Sequence, residues 1–122
     1  MGPVNWIAVG AAWLIAALLG TAFYGRAATP RPPYRRHALA AVLLFVSVAM
    51  IGHMFARVGA QTLAAKPWLY FMMSGGLALT FIAPALAITA IRRGDPLGRA
   101  LYDASYFLAA FLAIGAVFLL LA

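Results

Sequence analysis

Four runs of apolar residues, interrupted only where arginine, lysine, proline or glycine cluster, organise the chain at about 4–25, 38–56, 67–91 and 100–121. Each comes close to the roughly 20 residues that a helix needs to cross a 30 Å hydrocarbon layer. The runs lack the alternation of polar and apolar positions that marks barrel strands, and a backbone facing lipid must close its own hydrogen bonds, so helices are predicted. The fold class expected is all-α: an integral membrane four-helix bundle in a single transmembrane domain over residues 1–122. The connections "RAATPRPPYRRH", "RVGAQTLAAKP" and "RRGDPLGR" punctuate it. Gly94-Asp95-Pro96 in the last is turn chemistry. Pro84 removes one helical hydrogen bond deep in the third run and predicts a bend or loosening there.

Composition turns this pattern into a statement about solvent. Hydrophobic residues make up 66% of the 122 and charged residues 9%, against roughly 45–50% and about 25% in soluble domains. A small domain has too little interior for such an excess, which must face lipid. There is no cysteine, so disulfides, thiolate metal sites and a cysteine nucleophile are excluded. There is no glutamate, and Asp95 and Asp103 are the sole carboxylate side chains, which leaves paired-carboxylate chemistry almost no material.

The formal net charge of +7 does not point to nucleic acid, because the basic residues border the apolar runs instead of forming one face. Arg26, Arg31, Arg35 and Arg36 fall in the first connection and Arg92, Arg93 and Arg99 in the third, with Arg57 and Lys66 in the second. The positive-inside rule then predicts cytoplasmic first and third connections and periplasmic termini. Trp6 and Trp68 begin spans at the outer interface and Tyr24 lies near the inner one, as aromatic belts prefer. The first residues carry no basic n-region, so a cleaved signal peptide is not expected.

Within lipid, helices associate through close backbone approach and occasional polar contacts. Ala12, Ala16 and Gly20 recur every fourth residue on the first span, and Gly76, Thr80 and Pro84 on the third; these are the expected contact stripes. Trp6, Gly10, Trp13, Ala17, Gly20 and Tyr24 form a second stripe, suited to aromatic packing and interface anchoring or to ligand stacking. At an offset of 62 residues Trp6 matches Trp68, Arg31 matches Arg93 and Phe45 matches Phe107, which two related hairpins or simple composition would both produce.

Intramembrane ionisable residues are costly and therefore functional candidates. Met50, His53, Met54 and Arg57 share one face of the second span. Folding the hairpin about Thr62 places His53 and Met50 opposite Tyr70, Met72, Met73 and Ser74. Two readings follow. His53 with Met50, Met54 and Met73 has donors for copper(I), or for axial haem ligation; alternatively His53 hydrogen-bonds to Tyr70 or a carbonyl while the methionines fill gaps, which leaves no cofactor and is the reading expected. His37 and His53 lie about 24 Å apart along one helix, too far to share a haem. On the fourth span Arg99, Tyr102, Asp103 and Tyr106 share a face. Asp103 is expected as an anchor paired with Arg99 or a first-connection arginine, with a proton or cation relay as the alternative. The arginines beside Pro30, Pro32, Pro33 and Tyr34 suit anionic headgroups or an acidic partner, or serve topology alone.

The opening "VNWIAVGAAWLIAALLGTAFYG", the later "GHMFARVGA" and the last span's "ALYDASYFLAAFLAIGAVF" resemble, in placement, a family of small bacterial four-span proteins known as domain of unknown function 1761. The resemblance covers nearly the whole chain and implies four helices in a bacterial inner membrane. It implies no activity, substrate, cofactor or functional residue. Small multidrug transporters and glutathione-handling membrane enzymes fit less well, since both rely on a glutamate that this chain lacks.

The connections are too short for a catalytic domain, so the expectation is a non-enzymatic protein whose partners are membrane lipids and either other membrane subunits or a second copy of itself. A small dimeric transporter or channel using Asp103, Tyr102 and Tyr106 is the alternative. Alkaline phosphatase fused to either terminus is expected to be active and green fluorescent protein dark; a fluorescent fusion at either end reverses the orientation.

Overall fold

The computed structural model describes residues 3–27 and 34–122; Pro30, Arg31, Pro32 and Pro33 of the first connection lie outside the described residues. All regular elements among the described residues are helical. They are α1 (Trp6–Ala27), α2 (Tyr34–Val58), a short α3 (Ala60–Ala65), α4 (Trp68–Leu77), a π-helical turn (Ala78–Ile82), α5 (Ala83–Arg93) and α6 (Leu97–Leu120). Four segments are long and apolar enough to cross a membrane: Trp6–Gly25, Arg35–Val58, Trp68–Arg93 and Leu97–Leu120. The second and fourth helices begin three to four residues before the apolar runs do, because arginine favours helix and its stem lies along apolar surface while its head stays in water.

The ends of the helices follow local chemistry. Asn5 accepts the Ala8 amide on its side-chain oxygen at 3.1 Å, capping α1, while its Nδ2 donates to Leu121 O at 3.0 Å. That second bond ties the start of α1 to the end of α6, so both ends of the chain lie at one end of the bundle. Gly59, at φ 97°, breaks α2 from α3, and Gly94, at φ 73°, ends α5 in the left-handed conformation that glycine adopts without strain. The second connection, expected as an irregular loop, thus carries the α3 helix, anchored by buried Leu63.

α6 is the central helix. It packs along α1 on one side and along α4 and α5 on the other, while α2 packs on α1, giving the lateral order α2, α1, α6, third span. Close approach makes these contacts. A Cβ on Gly115 would lie 2.8 Å from Tyr70 O and overlap Ser74 Oγ; one on Gly75 would meet Leu112 Cδ2 at 2.6 Å. Ala12 and Ala16 are fully buried on α1. On the third span the contact runs through Ser74, Gly75 and Ala78, all buried, and not through the expected Gly76, Thr80 and Pro84. Gly76 has open space where a side chain would go, and Thr80 and Pro84 are exposed. Gly76 lies about 200° around the helix from Ser74 and so faces away from the seam; beyond it Ala83 N–H bonds to Ala78 O, five residues back, and the ladder widens just before Pro84. The loosening expected at Pro84 takes this π form.

α2 meets the third span near their connection, where the Phe55 and Tyr70 rings lie 4.9 Å apart. Along the rest of its length α2 does not repeat the α1–α6 contact, so the packing does not mirror two equivalent hairpins.

Gly115→Ala is expected to lower stability in detergent by about 1–3 kcal/mol, the usual cost of overpacking. Gly76→Ala should be neutral or slightly stabilising through helix propensity. Equal effects in a thermal or denaturant titration would contradict this assignment of the seam.

Candidate functional site

At the arginine-rich end α2 and α5 part, opening a cleft of about 470 Å³ whose floor is α1 and α6. Helical periodicity supplies each wall. Ala17, Gly20, Thr21 and Tyr24 line it from α1, His37, Ala38, Ala41 and Leu44 from α2, Asp103, Tyr106 and Phe107 from α6, and Leu86 from α5. The volume lies within the range of small-molecule sites, roughly 300–1,000 Å³.

The polar content of the cleft is arranged by three tyrosines. Tyr24 Oη donates to Asp103 Oδ1 at 2.5 Å, Tyr102 Oη donates to Phe23 O at 2.6 Å and Tyr106 Oη donates to Ala16 O at 3.0 Å. All three bonds cross from α1 to α6. The rings brace one another edge to face: Tyr24 lies 5.9 Å from Tyr102 and 5.5 Å from Tyr106. Gly20 makes this possible, since a Cβ there would stand 3.1 Å from Tyr106 Oη. Asp103 is half-buried, and its second oxygen accepts no hydrogen bond among the described residues. Tyr24 thereby fixes one oxygen of the carboxylate.

Two of the arginines expected to pair with Asp103, Arg31 and the Arg26 side chain, lie outside the described residues. Among the described residues Asp103 pairs with neither Arg99, Arg35 nor Arg36. Arg99 is exposed one turn earlier on α6, whereas Asp103 turns toward α1, where the Tyr24 phenol donates to it.

His53 bonds to a backbone carbonyl, one of the two partners expected for it, and not to Tyr70. Its ring packs edge-on to Trp6 at 5.7 Å and its Nδ1 lies 2.7 Å from Ala49 O. A carbonyl only accepts, so Nδ1 carries the proton and Nε2 is left as the acceptor. Tyr70 faces Phe55, two residues and about 200° around the helix from His53. His53 and Tyr70 therefore do not meet, and the proposed donor set is divided: Met50 is 62% exposed, Met54 is half-buried on α2, and Met73 packs against the core from α4. Arg57 is exposed at the same end. Ser74 Oγ donates to Tyr70 O and is fully buried. No group of three His, Asp or other titratable metal ligands forms among the described residues.

Trp13, from the aromatic stripe, donates through Nε1 to Ala41 O at 2.7 Å and so joins α1 to α2. A second cavity, of about 560 Å³ near the chain ends, is lined by Asn5, Gly52, Phe55, Leu63, Tyr70 and Phe118 among others and contains no charged side chain. Sequence reasoning missed His37 as a cleft residue, Tyr24 as the partner of Asp103, and Asn5 as a clamp. Asn5 had a readable signal, an asparagine immediately before an apolar run. Tyr24 and Asp103 are 79 positions apart and no local pattern links them.

Four apolar helices of membrane-crossing length, closed by short connections around a tethered carboxylate, define a small four-span protein of membrane type. The chain belongs to the family described as protein of unknown function (DUF1761), whose model matches residues 2–119. No curated protein and no solved structure matches it.

A double-mutant cycle with Tyr24→Phe and Asp103→Asn, read by unfolding in mixed micelles, is expected to give a coupling of about 1–2 kcal/mol, the upper range for hydrogen bonds between membrane helices. Additive effects would mean that the phenol does not hold the carboxylate.

Proposed function

We propose that this chain is a non-enzymatic integral protein of the bacterial inner membrane that binds an amphiphilic ligand in the cleft beside Asp103, holding or carrying it within the bilayer. The observation that carries this reading is a carboxylate inside an apolar cleft with one oxygen fixed by Tyr24 and the other unpaired among the described residues. Ionisable groups within spans are retained where they meet a partner or a pathway. Concave apolar sites with a few convergent polar groups are where ligands bind. With the arginine-rich connections facing the cytoplasm, the cleft opens toward the inner leaflet.

A second reading, an accessory subunit or homo-oligomer, is favoured by a separate observation. α2 exposes Leu39, Val42, Leu43, Val46 and Met50 along its length, a face free for another transmembrane helix. A copper or haem site at His53 has less support, given its contacts with Trp6 and Ala49.

Ala38 lines the cleft yet is exposed, so Ala38→Trp fills the mouth without entering the core. Mass spectrometry of protein purified in mild detergent is expected to find a bound amphiphile that this variant reduces several-fold. If wild type and Ala38→Trp carry the same amphiphile load, or neither carries any, the cleft is not the binding site.

A further inference from the structure

Resting on that reading of the cleft, we propose that its ligand is an aminophospholipid, a lipid whose headgroup places a primary ammonium beside a phosphate. Three features of the site converge on it. The oxygen of Asp103 that accepts no hydrogen bond among the described residues can take a donor, and an ammonium offers three N–H groups to a carboxylate that can only accept. A trimethylated amine has no N–H to give. A lipid that is anionic only would bring its phosphate toward the carboxylate with hydroxyl donors at most and no cationic group to offset the repulsion.

A bare cation is disfavoured by the rest of the surface. Arg35, Arg36, Arg92, Arg93 and Arg99 are all exposed at this end, and Asp103 and Asp95 are the acidic residues opposing them. Five exposed guanidiniums against two carboxylates make this end of the bundle cationic on balance, which favours a phosphate over a bare cation. His37, which lines the α2 wall, makes no hydrogen bond among the described residues and follows Arg35 and Arg36 in the first turn of α2. A zwitterion whose phosphate meets His37 on the arginine-rich side, and whose ammonium meets Asp103, satisfies both signs at once.

Depth agrees with this placement. Asp103 lies six residues into α6 from Leu97, about 9 Å at 1.5 Å per residue. The headgroup region occupies roughly 5–7 Å on each side of the hydrocarbon layer, so the carboxylate sits where a headgroup amine can dip to reach it. Beyond Asp103 the walls are apolar, with Ala41, Leu44, Leu86 and Phe107, and the gap between α2 and α5 gives an acyl chain lateral access.

The test is native mass spectrometry of the full chain, exchanged into phosphatidylethanolamine, its stepwise N-methylated forms and phosphatidylglycerol, all with the same acyl chains. Wild type is expected to retain phosphatidylethanolamine about tenfold over the trimethylated and glycerol forms, the scale of one charge-assisted hydrogen bond. Retention should fall with each methyl group, and Asp103→Asn should erase the preference. The methylation series needs no variant and so stands even if Asp103→Asn does not fold. Equal retention across the series, or a preference that survives in folded Asp103→Asn, overturns the assignment. A different lipid that Ala38→Trp displaces would overturn the aminophospholipid while keeping the cleft; no lipid sensitive to Ala38→Trp would overturn both.

Discussion

Apolar side chains gain nothing by leaving a hydrocarbon solvent for one another, so this bundle has to be held by contact distance and by hydrogen bonds that lipid cannot replace. Both are concentrated on α6. Gly115 lets the third span approach until its Ser74 and Tyr70 backbone touch. On the opposite side, Ala12, Ala16 and Gly20 admit the Tyr106 ring, and the tyrosines close three bonds between α6 and α1. Asn5 repeats the tie at the far end through Leu121. Remove this seam and nothing else joins the two hairpins along their full length.

The cleft is a consequence of where those ties stop. α2 is attached through α1, by Trp13 to Ala41 and by the edge-on contact of Trp13 with Phe45 at 5.9 Å. It touches the third span at Phe55 and Tyr70. The helices at either side of the row are therefore joined at the end bearing the chain termini and separate toward the arginines. The tethered carboxylate faces the resulting gap because Tyr24, its partner, sits on the same α1–α6 seam that makes the gap's floor.

How far this was readable varies with the range of the interaction. The four helices follow from run length and charge borders alone, because the demand for internally paired backbone leaves no competing structure. Gly94-Asp95-Pro96 was equally legible, being a local stop signal. Which faces meet was not. The every-fourth-residue rule selected Gly76 and Thr80, but spacing does not say which row of small residues faces the neighbour, and the contact falls on Ser74, Gly75 and Ala78. The hairpin estimate set His53 opposite Tyr70, whereas a helical rotation of two residues gives that place to Phe55. Asp103 was singled out from its cost in lipid, but the bond it accepts from a neutral phenol on a distant helix was not legible, since charge bookkeeping along a sequence is blind to uncharged donors.

The third span carries Tyr70, Ser74, Ala78, Ile82, Leu86 and Ala90 at strict intervals of four, each at least half-buried. In a pure α-helix such a row winds around the axis by about 40° per step and would have left its neighbour by about 200° at the last member. Placing one additional residue in the ladder at Ala78–Ile82 unwinds about 100° of that drift at mid-height. A helix too regular in its spacing to stay in phase is thereby rephased halfway, and one flank can follow α6 from the first turn to the last without supercoiling.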